Sequence, residues 1–480
     1  MRGGVSARDF GLLAAILLLA LVLRLIGLNA PLWYDEILTI DTHLRLPWSD
    51  MLQSYSMNHH YFFDLQAKAT MELFGEAAWS VRLPALLFGL ATIVAVWVLA
   101  RDVATPGVAH VTALLLALSY HQIWFSQNAR GYTELAFWST LGLVFFLRGL
   151  RNPRPALWFG FGLTLAAATY THLTGAFFFA ALGLIWLVAL LRGGGDRRLV
   201  WMPVLGAGFG VLVLLLAYAP LIPSLGETVA AVGDTSAIDV MQEYQNPLWT
   251  ALEAVRTGIG SGGLLVGLVA LLVLGLSLTG GFAAAQREPW FAPAVLLHIV
   301  LTIAVLMALG MRLWPRFFFA DIGFLLLLIV LGVQSVCAFA AHLIGRDGWA
   351  QRAFAVAVIG MVLVSGAMAA RNYSAPKQNL AGAVAMVADI RQPGERVYAI
   401  GPAATAFTGY FQTDWQTITD NEGYASALAT PGPVLLVVAF PARVLRRVDQ
   451  MQTDRDGVLT ELHWFPGTLG DGGVVLFRRP

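Results

Sequence analysis

The sequence is poor in charged side chains. Only 12% of its 480 residues are Asp, Glu, Lys or Arg, whereas 58% are hydrophobic. A soluble domain usually has about a quarter of its residues charged. So few charges leave no water-facing surface for most of the chain, which excludes an ordinary soluble protein and indicates that lipid covers it.

Other signals are also missing. The single cysteine, Cys337, lies inside an apolar run, which excludes a disulfide framework or a cysteine-based metal site within one chain. We expect a buried, unreactive thiol. A net charge of +1 gives no indication of nucleic acid as a partner. There is no HxxH or HExxH metal spacing, no Gly-rich phosphate motif and no internal repeat.

Eleven apolar runs approach or exceed the length that crosses roughly 30 Å of hydrocarbon. They cover residues 10–28, 82–100, 107–124, 133–150, 155–171, 174–191, 200–218, 258–278, 290–309, 317–343 and 354–370. The first run follows Arg2 and Arg8 and lacks a small-residue cleavage site. It therefore predicts an uncleaved first helix rather than a signal peptide.

Arginines predict the orientation, because they concentrate in alternate short connections. These are Arg101, Arg148, Arg151, Arg154, Arg192, Arg197, Arg198, Arg287, Arg346 and Arg352. The positive-inside rule places these connections in the cytoplasm. The long loops 29–81 and 221–257 and the C-terminus then lie outside. Within the first loop, residues 62–74 have the pattern of an amphipathic helix lying in the membrane interface.

The pattern changes after residue 371. Apolar residues recur at helical spacing over 380–390, and 397–400, 434–440 and 473–479 have the composition of strands, with a helix over 443–451. This alternation predicts a small α/β domain with parallel strand pairing. We therefore divide the chain into a transmembrane module, 1–370, and an exported domain, 371–480.

Asp35 and Glu36 are the sharpest candidates for chemistry. They follow the first apolar run directly, next to Trp33 and Tyr34. A carboxylate partly withdrawn from water at a membrane surface is suited to act as a general base. The alternative is that both acids only favour the dipole at a helix N-terminus.

Three arginines lie on the predicted outer face, against the general charge bias. Arg130 belongs to FSQNARGY at 125–132, and Arg312 and Arg316 belong to RLWPRFF. Arginine binds phosphate through its planar fork. Pairing of Arg130 with an acid such as Glu134, or snorkelling of the other two from a helix end, is the alternative.

His59, His60 and His172 also map to this face. A single histidine is more often structural than a ligand. The convergence of carboxylates, arginines and histidines from distant segments carries more weight than any one of them. It fits a site that holds a phosphate-bearing lipid headgroup beside a general base.

The ordered motifs resemble the polyprenyl-phosphate-sugar-dependent glycosyltransferases of the GT-C superfamily, in the branch of the protein O-mannosyltransferases and the lipid A aminoarabinose transferase. The motifs are WYDE at 33–36, NHH at 58–60, SVRLPALLFGLATIVAVWVLAR at 80–101, FSQNARGY at 125–132, YTHLTG at 170–175 and PRFF at 315–318. The resemblance covers roughly the first 350 residues. It implies a GT-C-like fold of about eleven transmembrane helices with interfacial helices in the first outer loop and a small C-terminal α/β domain.

The resemblance also implies an inverting transfer of one sugar, hexose or pentose, from an undecaprenyl-phosphate-type donor to an acceptor hydroxyl. Asp35 would be the general base, assisted by Glu36. The cations that bind the donor phosphate would be Arg130, Arg316 and Arg312. Orienting or acceptor contacts would come from His59, His60, Tyr132, Glu134 and His172.

The implied partners are the lipid donor and a lipid, glycan or protein acceptor, at the extracytoplasmic face of a bacterial inner membrane, with no nucleic acid. Relatives often have Glu where this chain has Asn128, so no metal is firmly predicted, although a divalent ion stays open. A transporter or flippase of a lipid-linked glycan is the alternative function, and a non-catalytic lipid-binding scaffold is the third.

Overall fold

Helices form most of the first 370 residues. The computed structural model describes residues 5–56, 58–192, 196–224, 242–259, 262–455 and 457–480. The helices of this part are α1 (Ala7–Leu25), α2 (Tyr34–Thr39), α3 (Trp48–Met51), α4 (Tyr61–Phe74), α5 (Ala78–Val103), α6 (Pro106–Leu118), α7 (Tyr120–Ser126), α8 (Tyr132–Arg151), α9 (Pro155–Thr171), α10 (Thr174–Leu191), α11 (Arg198–Tyr218), α12 (Pro247–Ile259), α13 (Leu264–Ala285), α14 (Phe291–Ala308), α15 (Ile322–Leu343) and α16 (Ala350–Ala370).

Short 3₁₀ and π-helical segments adjoin these helices. Ile40–Leu44 is a π-helix that continues α2. The 3₁₀ segments are Ala219–Leu221, Gln242–Gln245, Pro315–Asp321, Asp347–Trp349 and Arg371–Tyr373. The first and third of these 3₁₀ segments lengthen α11 and α15, so that spans of 27 and 29 residues result.

Each of the eleven predicted runs contains a helix. Of the described helices, seven are long and apolar enough to cross a membrane, and an eighth span results if α6 and α7, which meet at a 58° bend, count as one. The helices of the other three runs are α1, α8 and α9, the last of which has 17 residues. The prediction of a polytopic helical membrane protein is confirmed, but the count of eleven is not.

Two helices of the bundle pack backbone against backbone. A Cβ atom on Gly162 of α9 would overlap the carbonyl oxygen of Gly206 on α11, and one on Gly206 would overlap that of Trp158. Small residues that let helix backbones approach closely are typical of packing within membranes. These glycines therefore fix the distance between α9 and α11.

The connection between α1 and α5 is folded. The predicted helix at 62–74 is present as α4, preceded by α2, the π-helix and α3. Ile37, Leu44 and Phe63 of this loop are buried in one apolar cluster with Leu380 and Leu476 of the C-terminal region. The loop is thus packed against the C-terminal unit, and its polar residues are held in place from that side.

The C-terminal unit is a five-stranded sheet with helices. Its strands are β1 (Arg396–Ile400), β2 (Gln416–Ile418), β3 (Val434–Ala439), β4 (Thr460–Phe465) and β5 (Val474–Arg479), in the order β2-β1-β3-β5-β4. Its helices are α17 (Leu380–Ile390), α18 (Asn421–Ala429), α19 (Pro441–Arg447) and α20 (Asp449–Asp454), and Ala406–Tyr410 is a π-helix. The predicted α/β character is confirmed, while the boundary at residue 370 stays a prediction.

Two details of that prediction are wrong. Strand β1 pairs in parallel with β2 and β3, as expected, but β5 is antiparallel to both β3 and β4. The connection from β4 to β5 is too short for the crossover that parallel strands require. The predicted helix at 443–451 is divided in two, because Val448 leaves the helical conformation at φ −115° and ψ 72°.

Candidate active site

Asp35 and Arg316 meet at one end of the bundle. Asp35 lies in the first turn of α2, and Arg316 lies in the segment Pro315–Asp321 ahead of α15. The Nη1 group of Arg316 donates to Oδ2 of Asp35 at 3.4 Å. The side chain of Arg316 is 34% exposed and that of Asp35 is 15% exposed. Within the described residues, the buried Nε of Arg316 has no hydrogen-bond partner. An accessible carboxylate therefore stands beside a guanidinium with donor capacity to spare.

Glu36 is buried completely beneath this pair. Its two oxygens accept from Nε and Nη2 of Arg82 at 2.7 and 2.6 Å, and Oε1 also accepts from the backbone N–H of Ala129 at 2.7 Å. Burial raises the pKa of Glu36, but Arg82 outweighs it, so that the net shift is downward. Sequence analysis grouped Glu36 with Asp35 as catalytic. The geometry instead favours a positioning function, because Glu36 ties α2 to α5 and to the turn before α8.

Arg130 stands in that turn and is 3% exposed. It donates to Oγ1 of Thr39 and to Oδ1 of Asn58, each at 3.1 Å. The Thr39 hydroxyl in turn donates to the carbonyl oxygen of Asp35 at 2.9 Å. Arg130 is thus connected through Thr39 to the helix that carries Asp35. Its Nε is buried and has no hydrogen-bond partner among the described residues.

Glu134 does not pair with Arg130. Its Oε1 accepts from Nε2 of Gln66 at 2.8 Å and from Nε1 of Trp138 at 3.2 Å. The alternative of a structural Arg130–Glu134 ion pair is therefore absent from the described contacts. Oδ1 of Asn128 accepts from Nε1 of Trp33 at 3.0 Å, so Asn128 holds the residue that precedes α2.

Three rings predicted for the site do come together. The His60 ring centroid lies 4.8 Å from that of Tyr132 and 4.9 Å from that of His172, and His172 is 5.6 Å from Phe317. Burial, followed by the charge of Arg130, lowers the pKa of His60 well below its ordinary value. The ring is therefore uncharged at neutral pH and can contribute hydrogen bonds without adding a cation.

His59 and Arg312 are placed differently. His59 turns away from His60 and stacks on His43 at a centroid distance of 3.8 Å, beside Asp64. One ring nitrogen of His43, one of His59 and a carboxylate oxygen of Asp64 lie within 4.8 Å of one another. These three side chains could hold a metal ion. The sequence contains no spacing that signals this set. Arg312 lies within electrostatic range of Arg443 in α19.

Sequence reasoning missed the residues that the C-terminal unit supplies. Oε1 of Gln378 accepts from the backbone N–H of Tyr34 at 3.2 Å. Lys377 donates to the carbonyl oxygen of Gln127, and burial lowers its pKa to about 7. Arg443 interacts electrostatically with Asp35. No local motif marks these residues, because their partners lie hundreds of positions away in the sequence.

Known proteins resemble this chain in sequence over one segment and in structure over nearly its whole length. Residues 58–222 match the dolichyl-phosphate-mannose-protein mannosyltransferase family, about a third of the chain. No curated protein matches the sequence significantly.

Solved structures match over nearly the whole length. ArnT from Cupriavidus metallidurans, bound to undecaprenyl phosphate, is 17% identical with a TM-score of 0.52, and 98% of each chain is covered. Its apo form is 16% identical with a TM-score of 0.53 at the same coverage. AglB from Archaeoglobus fulgidus, in complex with an inhibitory peptide and a dolichol-phosphate, is 13% identical with a TM-score of 0.59, covering 98% of this chain and 74% of that one.

The matched family and these structures belong to the GT-C superfamily of glycosyltransferases. The resemblance predicted from the motifs is confirmed, and the chain is a multi-pass membrane protein with the GT-C fold.

Proposed function

We propose that the chain is a membrane glycosyltransferase that moves one sugar from a polyprenyl-phosphate donor to an acceptor hydroxyl, with inversion and with Asp35 as general base. The contact between Asp35 and Arg316 carries the proposal, because it joins a proton acceptor and a phosphate-binding cation at one place. The binding of undecaprenyl phosphate by ArnT and of dolichol-phosphate by AglB supports the choice of donor.

In the proposed step, Asp35 takes the proton of the acceptor hydroxyl. The acceptor oxygen forms a bond to the anomeric carbon from the face opposite the phosphate. The bond between that carbon and the phosphate oxygen breaks, and its electron pair leaves with the polyprenyl phosphate. The phosphate gains one negative charge, which Arg316, Arg130 and Arg312 would stabilise. Donors fixed in advance where charge develops are usually the largest contribution to such catalysis.

The rings of His60, Tyr132 and His172 would border the space next to Arg316 and orient the sugar or the acceptor. Glu134 would orient the sugar or the acceptor indirectly, through its hydrogen bond with Gln66. We place the reaction at the extracytoplasmic face of a bacterial inner membrane, in accordance with the arginine distribution. A divalent ion at the reacting atoms is not required by this scheme.

Transfer of labelled sugar from a polyprenyl-phosphate donor by the purified chain tests the proposal. Loss of a general base usually lowers the rate by about 10²–10⁴-fold, so Asp35→Asn should lose transfer to that extent while donor binding persists. Asp50→Asn, an exposed acid of the same loop, is the matched control. A flippase or scaffold has no need of a proton acceptor, so full function of Asp35→Asn in lipid translocation, with no transfer by the wild type, would favour those alternatives.

The phosphate function of Arg316 has its own measurement. A hydrogen bond to a charged group contributes about 1.5–3 kcal/mol, so Arg316→Ala should weaken donor binding by about 10- to 100-fold. Arg316→Lys retains the charge but not the planar fork, and should recover only part of the affinity. Unchanged donor affinity in Arg316→Ala would remove this residue from the donor site.

A further inference from the structure

We propose that His43, His59 and Asp64 form a Zn²⁺-binding site within the first outer loop, separate from Asp35 and its arginines. The three side chains come from the π-helix Ile40–Leu44, from the NHH segment and from the first turn of α4. Their side chains are 0%, 4% and 1% exposed. This inference does not depend on the proposed transferase function.

The distances suit a tetrahedral ion. Nδ1 of His43 and Nδ1 of His59 lie 2.9 and 3.5 Å from Oδ2 of Asp64. Zinc bonds of about 2.0–2.2 Å to nitrogen and oxygen place tetrahedral ligands about 3.4 Å apart. All three donor atoms lie within 4.8 Å of one another, so a modest adjustment of the side chains would bring them to tetrahedral spacing around one ion. Two imidazoles and one carboxylate are also a donor set that Zn²⁺ favours.

The surroundings of His43 give the second reason. Both of its ring nitrogens face oxygen acceptors, since Nε2 lies 3.3 Å from the carbonyl oxygen of Met51 and Nδ1 faces Asp64. A neutral imidazole has only one N–H, so one lone pair would point at an oxygen. An ion bound to Nδ1 removes this conflict and lets Nε2–H donate to Met51. Metal-binding histidines typically donate their other N–H to a backbone carbonyl in this way.

His59 gives the third reason. Its ring stacks on that of His43 at a centroid distance of 3.8 Å with an interplanar angle of 22°. Its buried Nδ1 lies 3.5 Å from Oδ2 of Asp64 and has no hydrogen-bond partner among the described residues. A shared ion gives that nitrogen a function.

The site would organise the segment that holds Arg130. Asn58, the residue before His59, accepts from Arg130, and the backbone N–H of His60 donates to Asp64 at 3.2 Å. An ion at Asp64 would therefore fix the whole 58–60 segment. Its contribution is to loop order rather than to the reacting atoms.

The test is metal content of the full-length protein, purified without a histidine tag. The protein is stripped with a chelator, reloaded with Zn²⁺ or Co²⁺ and freed of excess ion. We expect one ion per chain, a visible absorption band typical of tetrahedral Co²⁺, and a higher melting temperature with Zn²⁺. His43→Gln and Asp64→Asn should bind at least tenfold more weakly.

His59→Gln keeps the proposal falsifiable if those variants fail to fold, because it leaves the hydrogen bond between His43 and Asp64 intact. It should fold, lose the Co²⁺ band and show no rise in melting temperature with Zn²⁺. His342→Gln is the matched control, since it removes a histidine of an exposed pair with Asp347. A wild type that retains no more metal than His59→Gln would overturn the proposal, whatever its transferase activity.

Discussion

Replacement of Glu36 by Gln should destabilise the loop that carries Asp35, although the substitution hardly changes the side-chain volume. Four donors converge on this carboxylate, namely two from Arg82 and the backbone N–H groups of Trp33 and Ala129. Each oxygen of Glu36 accepts from two of these donors, whereas a carboxamide has one acceptor oxygen, so its NH₂ group would face two donors. Arg82 would then be a buried cation without its counter-charge.

The magnitude follows from burial. Both side chains are 0% exposed, and breaking a buried ion pair from one side costs about 3–5 kcal/mol. Arg82 keeps bonds to the carbonyl oxygens of Leu28 and Ala30, each at 2.8 Å. We therefore expect the lower end, about 3 kcal/mol of unfolding free energy.

The assay is denaturant unfolding in detergent, followed by tryptophan fluorescence. Glu461→Gln is the control, because it breaks the pair with Arg455, whose side chains are 44% and 41% exposed. An exposed pair of this kind contributes about 0–1 kcal/mol. Equal stability of Glu36→Gln and Glu461→Gln would refute the positioning function of Glu36.

The pH dependence of stability tests the ion pair between Glu36 and Arg82 independently. The pKa of Glu36 is lower in the folded protein than its ordinary value of 4.5, so the unfolded chain binds the proton more tightly. The stability contributed by the pair is therefore present above pH 4.5 and is lost as the pH falls through the folded pKa. Glu36→Gln should lack this part of the acid dependence, whereas Glu461→Gln should retain it.

Two further substitutions test packing and the arginine network. Gly206→Ala should lower the free energy of unfolding by about 1–3 kcal/mol through overlap with the Trp158 carbonyl. Gly208→Ala on the same helix meets open space and should be neutral or slightly stabilising in the same denaturant-unfolding assay. Asn58→Ala removes an acceptor of Arg130, and by the proposed function should weaken donor binding several-fold; donor affinity equal to wild type would disconnect the 58–60 segment from the donor site.

Sequence reasoning succeeded where the signal is local. The apolar runs predicted the helices, and the short motifs around Asp35, Arg130 and Arg316 predicted residues that the fold brings to one end of the bundle. Those motifs could be recognised because a charged side chain beside an apolar run is costly unless it has a function or a partner. The function of these residues itself stays a prediction.

The remainder depended on partners distant in sequence. Glu36 and Asp35 are adjacent carboxylates with the same chemistry. Only the position of Arg82 shows that Glu36 is a buried partner in an ion pair, whereas Asp35 is partly exposed. Strand direction was misjudged for β5 because direction depends on the connection rather than on composition. The cluster of His43, His59 and Asp64 has no motif spacing, since its members come from separate segments of the loop and meet only in the folded structure.

The C-terminal unit belongs to the candidate site through Arg443. Asp471 accepts from the backbone N–H of Arg443 at 3.1 Å, which fixes the start of α19. The guanidinium lies 4.8 Å from the ring centroid of Phe440, and that ring contacts Tyr34 next to Asp35. Burial lowers the pKa of Arg443, with Asp35 and Arg316 among the charges that act on it. The C-terminal unit therefore supplies a further cation near Asp35.

Arg443→Gln should consequently lower donor affinity by about tenfold, the lower end of the loss of one hydrogen bond to a charged group, without unfolding the sheet. Arg446→Gln on the same helix is the control, because Arg446 is 56% exposed and pairs with Glu243 at 2.7 Å. Donor binding measured at low salt should separate the two variants, and the difference should persist in part at high salt because Arg443 is mostly buried. If both variants bind donor as the wild type does, the C-terminal unit contributes packing to the loop at 29–81 and no charge to the donor site.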